Sequence, residues 1–446
     1  MDAVGKMHLP DQVDAIIDKL LWAGYEAYAV GGCVRDSILG KQPQDWDITT
    51  SAAPEQVKAL FLKTVDTGIA HGTVTVLMGG EGFEVTTYRI DGDYKDFRHP
   101  AEVTFTSNLL EDLKRRDFTI NAMAYNKIHG LVDAFDGIGD LGRKVIRCVG
   151  DAGQRFTEDA LRMMRAVRFA AQLGFQIEEG TKEAIQQLAP SLSHISAERI
   201  QAELVKLLVS DHPEEMRSLY TLGITKVILP EFDVMMQTEQ NHPHHIYTVG
   251  EHTIAALTHV EPDKVLRLTA LLHDVAKPLC RTVGEDGLHH FYGHPQEGSR
   301  MAEQILRRLK FDNDTIERVC RLVAGHDDNP PVTQRDVRRA VVRIGAEAYP
   351  AIFAIKRADI LAQSAYQKAE KLEYLKAYKA CWQGIMEQNQ CLTLKELAVK
   401  GADLIALGIP PGPGLGKILK ELLEVVLEDP KKNNKEYLLS QIKDIK

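Results

Sequence analysis

The sequence predicts an α+β protein, with a small mixed β-sheet and its helices followed by a long all-helical remainder. Three observations carry this. Before Gly150, short runs of β-branched residues alternate with helical periodicity. Within that part, Gly79-Gly80 joins two such runs, which is a hairpin signal. After it, strand signals fade and apolar residues recur at helical spacing. A length of 446 residues, at about 100–200 per domain, suggests roughly three domains.

Val13, Ile16, Ile17, Leu20 and Leu21 share one face of a helix over Val13–Ala23. Tyr25–Val30 reads as a strand ending in Gly31-Gly32, and the chain continues as a helix through Asp36–Leu39. Asp47–Thr50 is a second strand and Pro54–Leu62 a helix that starts on proline. Gly72–Met78 and Gly82–Ile90 form the hairpin. Glu158–Leu173, Thr181–Leu188 and Ala197–Leu208 open the helical part. Boundaries fall near Gly150, near Asn241-His242-Pro243 and within Gln363–Lys371.

Composition excludes several classes. Hydrophobic residues make up 44% and charged ones 26%, so a sizeable core is available and disorder is excluded. The six cysteines form no C-x-x-C pair, which fits a reduced cytosol and no zinc ribbon. The segment Met1–Leu20 has no apolar stretch of the signal-peptide kind, and no run reaches the roughly 20 apolar residues of a membrane span. The net charge of −9 argues against broad, sequence-blind coating of nucleic acid. It averages over the local stripe Arg162, Arg165, Arg168 and the pair Arg115-Arg116, and so leaves room for a single basic cleft.

Gly31-Gly32-Cys33-Val34-Arg35-Asp36 sits at a strand-to-helix turn. Glycines there let backbone N–H groups approach a phosphate, and Arg35 can add a charge-assisted contact. Asp45-Trp46-Asp47 follows, and in extended chain its carboxylates share a face, where they can hold one or two Mg²⁺ ions. Glu84, on the second hairpin strand, is a third carboxylate within reach. Together these motifs resemble the nucleotidyltransferase superfamily. More narrowly, they resemble the class II tRNA nucleotidyltransferase and bacterial poly(A) polymerase family, whose R-R-D-x-T-I-N-A block is matched by Arg115–Met123. The resemblance implies that Gly32, Arg35 and Arg116 hold a triphosphate. It also implies that Asp117 accepts from a ribose hydroxyl.

Glu158, Asp159, Arg162, Arg165 and Arg168 lie on the next helical stretch. Glu158 and Arg162 stand four apart and can pair. The E-D-x-x-R block resembles the family's nucleotide-recognition motif. By that resemblance Asp159 and Arg162 read the amine and ring nitrogen that cytosine and adenine share. Arg165 and Arg168 then face the triphosphate or the RNA end. The polar segment Asp91–Pro100 stands where the family carries a loop associated with adding the terminal A. The tail Gly401–Gly416 resembles that of CCA-adding members.

Histidines crowd the middle of the chain, and the series His252, His273-Asp274, His294, His326, Asp359 resembles an HD phosphohydrolase domain. That likeness implies His252, His273, Asp274 and Asp359 as ligands of one divalent metal (Mn²⁺, Ni²⁺ or Fe²⁺). It leaves His294 and His326 for a second metal or a phosphate. The expectation is a nucleotidyltransferase head (1–150), an all-α neck with the recognition motif (151–240), an HD body (241–365) and a helical tail (366–446). The implied reaction adds C, C and A to the tRNA 3′ end from CTP and ATP with Mg²⁺, in the cytoplasm and with no membrane partner. Phosphatase or 2′,3′-cyclic phosphodiesterase activity is implied for the body. The alternatives are an A-adding enzyme, a poly(A) polymerase, an HD phosphohydrolase with a vestigial head, and a tRNA-binding module without turnover.

Overall fold

The computed structural model describes residues 7–92 and 103–445. Most of Asp91–Pro100, residues 93 onward, therefore lies outside the described residues. The chain forms two compact units, Met1–Pro230 and Glu231–Lys446.

The first unit is built on a seven-stranded mixed sheet. Its strands are β1 (Ala27–Val30), β2 (Ile48–Thr50), β3 (Thr64–Gly68), β4 (Thr73–Met78), β5 (Glu81–Thr87), β6 (Met123–Asn126) and β7 (Gly130–Asp133), in the order β3-β4-β5-β2-β1-β6-β7. All four residues of β1 are buried, as a central strand requires. Tyr28 and Val30 pack there with Tyr88, Leu109, Leu113 and Ala124. The β4–β5 hairpin turns on Gly79 and Gly80, whose φ of +64° and +90° suit only the turn type that matches strand twist. β2 runs parallel to β5 with Ile48 opposite Val85. One residue back, Asp47 is level with Glu84, and both point away from the face that buries Ile48 and Val85.

The stretch read as one helix from Glu158 is two. One helix covers Ala152–Glu158, capped by the Asp151 side chain on Gln154 N. The next runs over Leu161–Leu173 and stops at Gly174, φ +66°. Asp159 sits in the break in extended conformation. The helical pattern of Leu161–Leu173 buries Met163, Met164, Val167 and Phe169, and it packs on the helix Ala197–Leu208. Strands are not wholly absent after residue 144, since Val145–Ile146 pairs with Gln176–Ile177 over two residues each.

Arg168 has partners of its own. Its guanidinium is buried, donates to Glu203 (2.7 Å) and Gln172 (2.8 Å), and lies 3.7 Å from the Phe169 ring centre. It ties its own helix to the helix Ala197–Leu208 through Glu203. Removing one partner of a buried pair leaves an uncompensated charge, at a cost of about 3–5 kcal/mol. Glu203→Ala should therefore lower the urea-unfolding free energy on that scale. A change under about 1 kcal/mol, the worth of an exposed pair, would contradict the structural role.

The second unit is helical among the described residues, apart from a two-residue pairing of Thr282–Val283 with His289–His290. Its core helices are Val249–Leu257, Lys264–Leu272, His294–Arg308, Asn313–Gly325 and Tyr349–Ala362. Side-chain caps fix three of their starts, with Thr248, Asp263 and Asp312 each accepting from backbone N–H groups of the first turn. The long helix Lys368–Glu387 and the helices Gly401–Ala406, Pro413–Glu428 and Lys435–Ile445 complete it. No helix among the described residues is long and apolar enough to cross a membrane.

Candidate functional site

In the first unit, β1 delivers the chain to Gly31 at φ +85°, and the helix Gly32–Ile38 starts directly after it. A Cβ on Gly31 would come within 3.0 Å of Arg116 Nη1, so the turn and Arg116 are packed face to face. Val30 N donates to Asp47 O (3.0 Å), which holds the Asp45-Trp46-Asp47 segment against the same turn before β2 begins at Ile48.

Asp45, Asp47 and Glu84 form one negative field. Asp47 touches solvent, but surrounding protein first and Asp45 next push its carboxyl pKa up against the pull of Arg116. Glu84 is raised by burial and then by Asp47 and Asp45. Carboxylates that raise one another are a set a cation would relieve. Oxygen donors with open neighbouring positions are the donors a hard divalent ion takes. These residues fit the divalent metal that a nucleotidyltransferase implies.

The arginines differ in how free they are. Arg35 is buried and donates to Asp36 (2.8 Å) and to Asn121 Oδ1 (2.7 Å), so in this arrangement it braces the turn. Arg116 has an Nε–H without a hydrogen-bond partner among the described residues, a donor available to a phosphate oxygen. Burial lowers its pKa against the pull of Asp112, whose carboxylate is 3.7 Å away. Asp112 itself was not singled out from the sequence. It is buried, accepts from Arg115 (2.7 Å) and Thr49 (3.1 Å), and anchors the Arg115-Arg116 pair. Its places three and four residues before them were the signal.

Asp117 is buried and fully engaged. It accepts from Arg165 Nε (2.7 Å), Asn121 Nδ2 (3.2 Å) and Phe118 N (2.8 Å). Burial alone would raise its pKa, but Arg165 and these donors hold it at about 2. Arg165 is thus committed to Asp117, and Arg35, Arg165 and Arg168 all lie near the Phe169 ring, at 5.1, 5.4 and 3.7 Å.

The helix break separates Asp159 from the Arg162 side chain. Asp159 accepts from Arg199 Nη2 (2.8 Å) and caps Leu161 N (3.1 Å). Arg162 donates to Glu158 (2.7 Å), Arg155 O (3.2 Å) and Arg115 O (2.9 Å). Arg155 also pairs with Glu158 and donates to Lys114 O (3.2 Å). Two arginines therefore satisfy the open carbonyl end of the helix Leu109–Lys114. The two proposed base-reading groups are each held by a separate partner. Arg199 was not visible as one of those partners, being forty positions from Asp159.

In the second unit, helix packing assembles a buried cluster. Asp274 Oδ2 lies 3.2 Å from His273 Nε2 and 3.6 Å from His252 Nε2. Asp274 Oδ1 lies 3.4 Å from His294 Nε2 and 3.6 Å from His326 Nε2. Asp359 Oδ1 is 2.9 Å from His252 Nε2. Five of these six residues make two ligand triads that share Asp274, and Asp359 stands beside the first through His252. The Nδ1 atoms of His273, His294 and His326 lie 2.7–2.8 Å from the carbonyls of Ala270, Phe291 and Val323. Donation from Nδ1 leaves each Nε2 lone pair turned to the centre, as metal-binding histidines are held. His273 would be lowered by burial, but Asp274 and Asp359 raise it. Asp274 is held well below the carboxylate range by His273 and Lys277 despite its burial. Lys277, absent from the sequence-derived set, stands 2.8 Å from Asp274 and is also bound to Gln240 (2.9 Å). A 370 Å³ cavity opens over the cluster.

Carboxylates massed beside a strand–glycine–helix turn, with an uncommitted arginine donor among them, define the first unit as a nucleotidyltransferase head. The comparisons agree. The profile of the Poly A polymerase head domain matches residues 27–147. That of the RNA and SrmB-binding site of polymerase A matches residues 174–236, and that of tRNA nucleotidyltransferase domain 2 matches 296–442. The chain is 37% identical to a CCA-adding enzyme of Lactobacillus delbrueckii subsp. bulgaricus, covering 95% of each chain. It is 38% identical to one of Limosilactobacillus fermentum, covering 95% of this chain and 94% of the other. The crystal structure of the Bacillus stearothermophilus CCA-adding enzyme with CTP aligns at TM-score 0.73 and 30% identity, covering 97% of both chains. The chain belongs to the family of CCA-adding enzymes.

Proposed function

We propose that the protein adds C, C and A to the 3′ end of tRNA in the cytoplasm, using CTP and ATP. The observation that carries this is the Asp45, Asp47, Glu84 carboxylate field beside Gly31 and Arg116, in a chain related along its whole length to CCA-adding enzymes. In this reading Asp45 and Asp47, with Glu84 beside them, hold Mg²⁺. Bound Mg²⁺ supplies activation of the attacking hydroxyl and stabilisation of the leaving pyrophosphate. Gly32 keeps the turn open to the triphosphate, Arg116 donates to it, and Arg35 positions the turn through Asn121. The tRNA 3′-oxygen bonds to the α-phosphorus, the bond to the β-phosphate oxygen breaks, and pyrophosphate leaves with the hydroxyl proton released. Positioning and electrostatics supply most of the acceleration.

Asp159 and Arg162 select the base, with Arg199 and Glu158 holding them in place. A good bidentate contact discriminates by about 1–3 kcal/mol. Asp159→Ala should therefore cut CTP and ATP discrimination over UTP and GTP by roughly ten- to a hundredfold. Single-nucleotide incorporation kinetics on a shortened tRNA measures this, and undiminished discrimination would remove Asp159 from base reading.

A second reading is favoured by the paired triads around Asp274. The second unit is read as an HD-type hydrolase holding two divalent ions of the Mn²⁺, Ni²⁺ or Fe²⁺ kind. His252, His273, Asp274 and Asp359 bind one, and Asp274, His294 and His326 the other. Water adds to a phosphoester phosphorus there, the ester bond breaks, and the leaving oxygen takes a proton from the water. Release of phosphate from phosphomonoesters by the metal-loaded protein tests it.

A further inference from the structure

Asp112 is fully buried on the short helix Leu109–Lys114 of the first unit. A buried carboxylate is costly unless it is both paired and hydrogen-bonded. Asp112 is both, and its partners come from three separate segments. Its Oδ1 accepts from Arg115 Nε (2.9 Å) and Nη2 (2.7 Å), and from Arg89 N (3.4 Å). Its Oδ2 accepts from the Thr49 hydroxyl (3.1 Å) and lies 3.7 Å from Arg116 Nη2. Burial would raise its carboxyl pKa, but Arg115 and then Arg116 hold it below the usual range.

Thr49 connects this carboxylate to the candidate site. It is fully buried on β2, two residues beyond Asp47. Side chains two apart on a strand share a face, roughly 7 Å along it. The Thr49 hydroxyl also lies 3.3 Å from Thr86 O on β5, two residues beyond Glu84. The Asp112 contact with Arg116 is an ion pair beyond hydrogen-bonding distance, and Arg116 Nε has no partner among the described residues. Asp112 therefore fixes the guanidinium without using up its N–H donors. One carboxylate between two guanidiniums also leaves one positive charge for an anion.

We infer that Asp112 is a positioning residue for nucleotide addition, and that through Thr49 it sets Arg116 in register with Asp47 and Glu84. This rests on the proposed nucleotidyl transfer, in which Arg116 donates to the triphosphate. Asp112 itself touches neither nucleotide nor metal. It acts because reacting groups misplaced by about 1 Å lose much of the rate.

The test uses full-length Asp112→Asn and Thr49→Val proteins. Steady-state addition of CTP and of ATP to shortened tRNAs is measured with Mg²⁺, and inorganic pyrophosphate serves as product inhibitor. In Asp112→Asn the KM for both triphosphates should rise about tenfold, the scale of a lost charged contact. The inhibition constant of pyrophosphate should rise with it, while the KM for tRNA stays unchanged. Thr49→Val keeps both arginines beside Asp112 and should still raise the triphosphate KM about fivefold, the scale of one hydrogen bond. A merely structural defect lowers the active fraction, and so lowers kcat with every KM kept. That result overturns the proposal. So does tighter triphosphate binding in Asp112→Asn, the outcome if only the lost negative charge mattered. If Asp112→Asn does not fold, Thr49→Val decides alone, and an unchanged triphosphate KM overturns the proposal. If the unsubstituted protein incorporates no nucleotide, the proposed function fails instead, and calorimetric binding of CTP with Mg²⁺ decides the positioning separately. About fivefold weaker binding in Thr49→Val upholds it, and equal binding overturns it.

Discussion

Exchanging Asp45 or Asp47 for Asn is expected to remove nucleotide incorporation while leaving the fold intact. Neither carboxylate supports the core: Asp45 and Asp47 are exposed and precede β2, whose first residue is Ile48. Both contribute to the field that raises Glu84. The loss should exceed about a thousandfold for each, the upper scale of a single preorganised electrostatic group. Because each substitution removes a negative neighbour, Glu84 should titrate lower in both variants. Carbon-detected NMR of the Glu84 carboxyl reads this independently of turnover. Retained incorporation, or an unmoved Glu84, would show that the three carboxylates do not act as one site.

The second large effect concerns Asp274. Its two oxygens serve both triads, so Asp274→Asn should lower divalent-metal affinity at the cluster by more than about a hundredfold, beyond the loss from a supporting residue. Elemental analysis of the purified protein measures this directly. Phosphoester hydrolysis should fall with the metal, while nucleotide incorporation by the first unit reports that the chain is folded. Full metal content in Asp274→Asn would contradict the shared-ligand arrangement.

The sequence reading and the structure part company where long-range partners decide. Local patterns were legible: the hairpin at Gly79-Gly80 and the helix Ala197–Leu208 follow from turn chemistry and periodicity. The break at Asp159 was not, because Glu158 to Leu173 carries no glycine or proline to announce it. The break exists because Asp159 is pulled to Arg199 while Arg162 and Arg155 turn back to the carbonyls of Arg115 and Lys114. The partners of Arg168 stayed hidden for a related reason. A stripe of arginines at every third position looks like one basic face, yet each has its own partner: Glu158 for Arg162, Asp117 for Arg165 and Glu203 for Arg168. Charge count could not see this pairing. The histidine cluster was legible as an ordered series, but its shared carboxylate required the folded helices.

The most direct test of the central claim is the sequence of the product. A tRNA transcript ending before its 3′ terminal triplet is incubated with the protein, Mg²⁺ and all four nucleoside triphosphates, and the extended ends are sequenced. The account predicts C, C and A in that order, followed by a stop, with neither U nor G incorporated. Addition of A alone, or of a run of A residues, would contradict it.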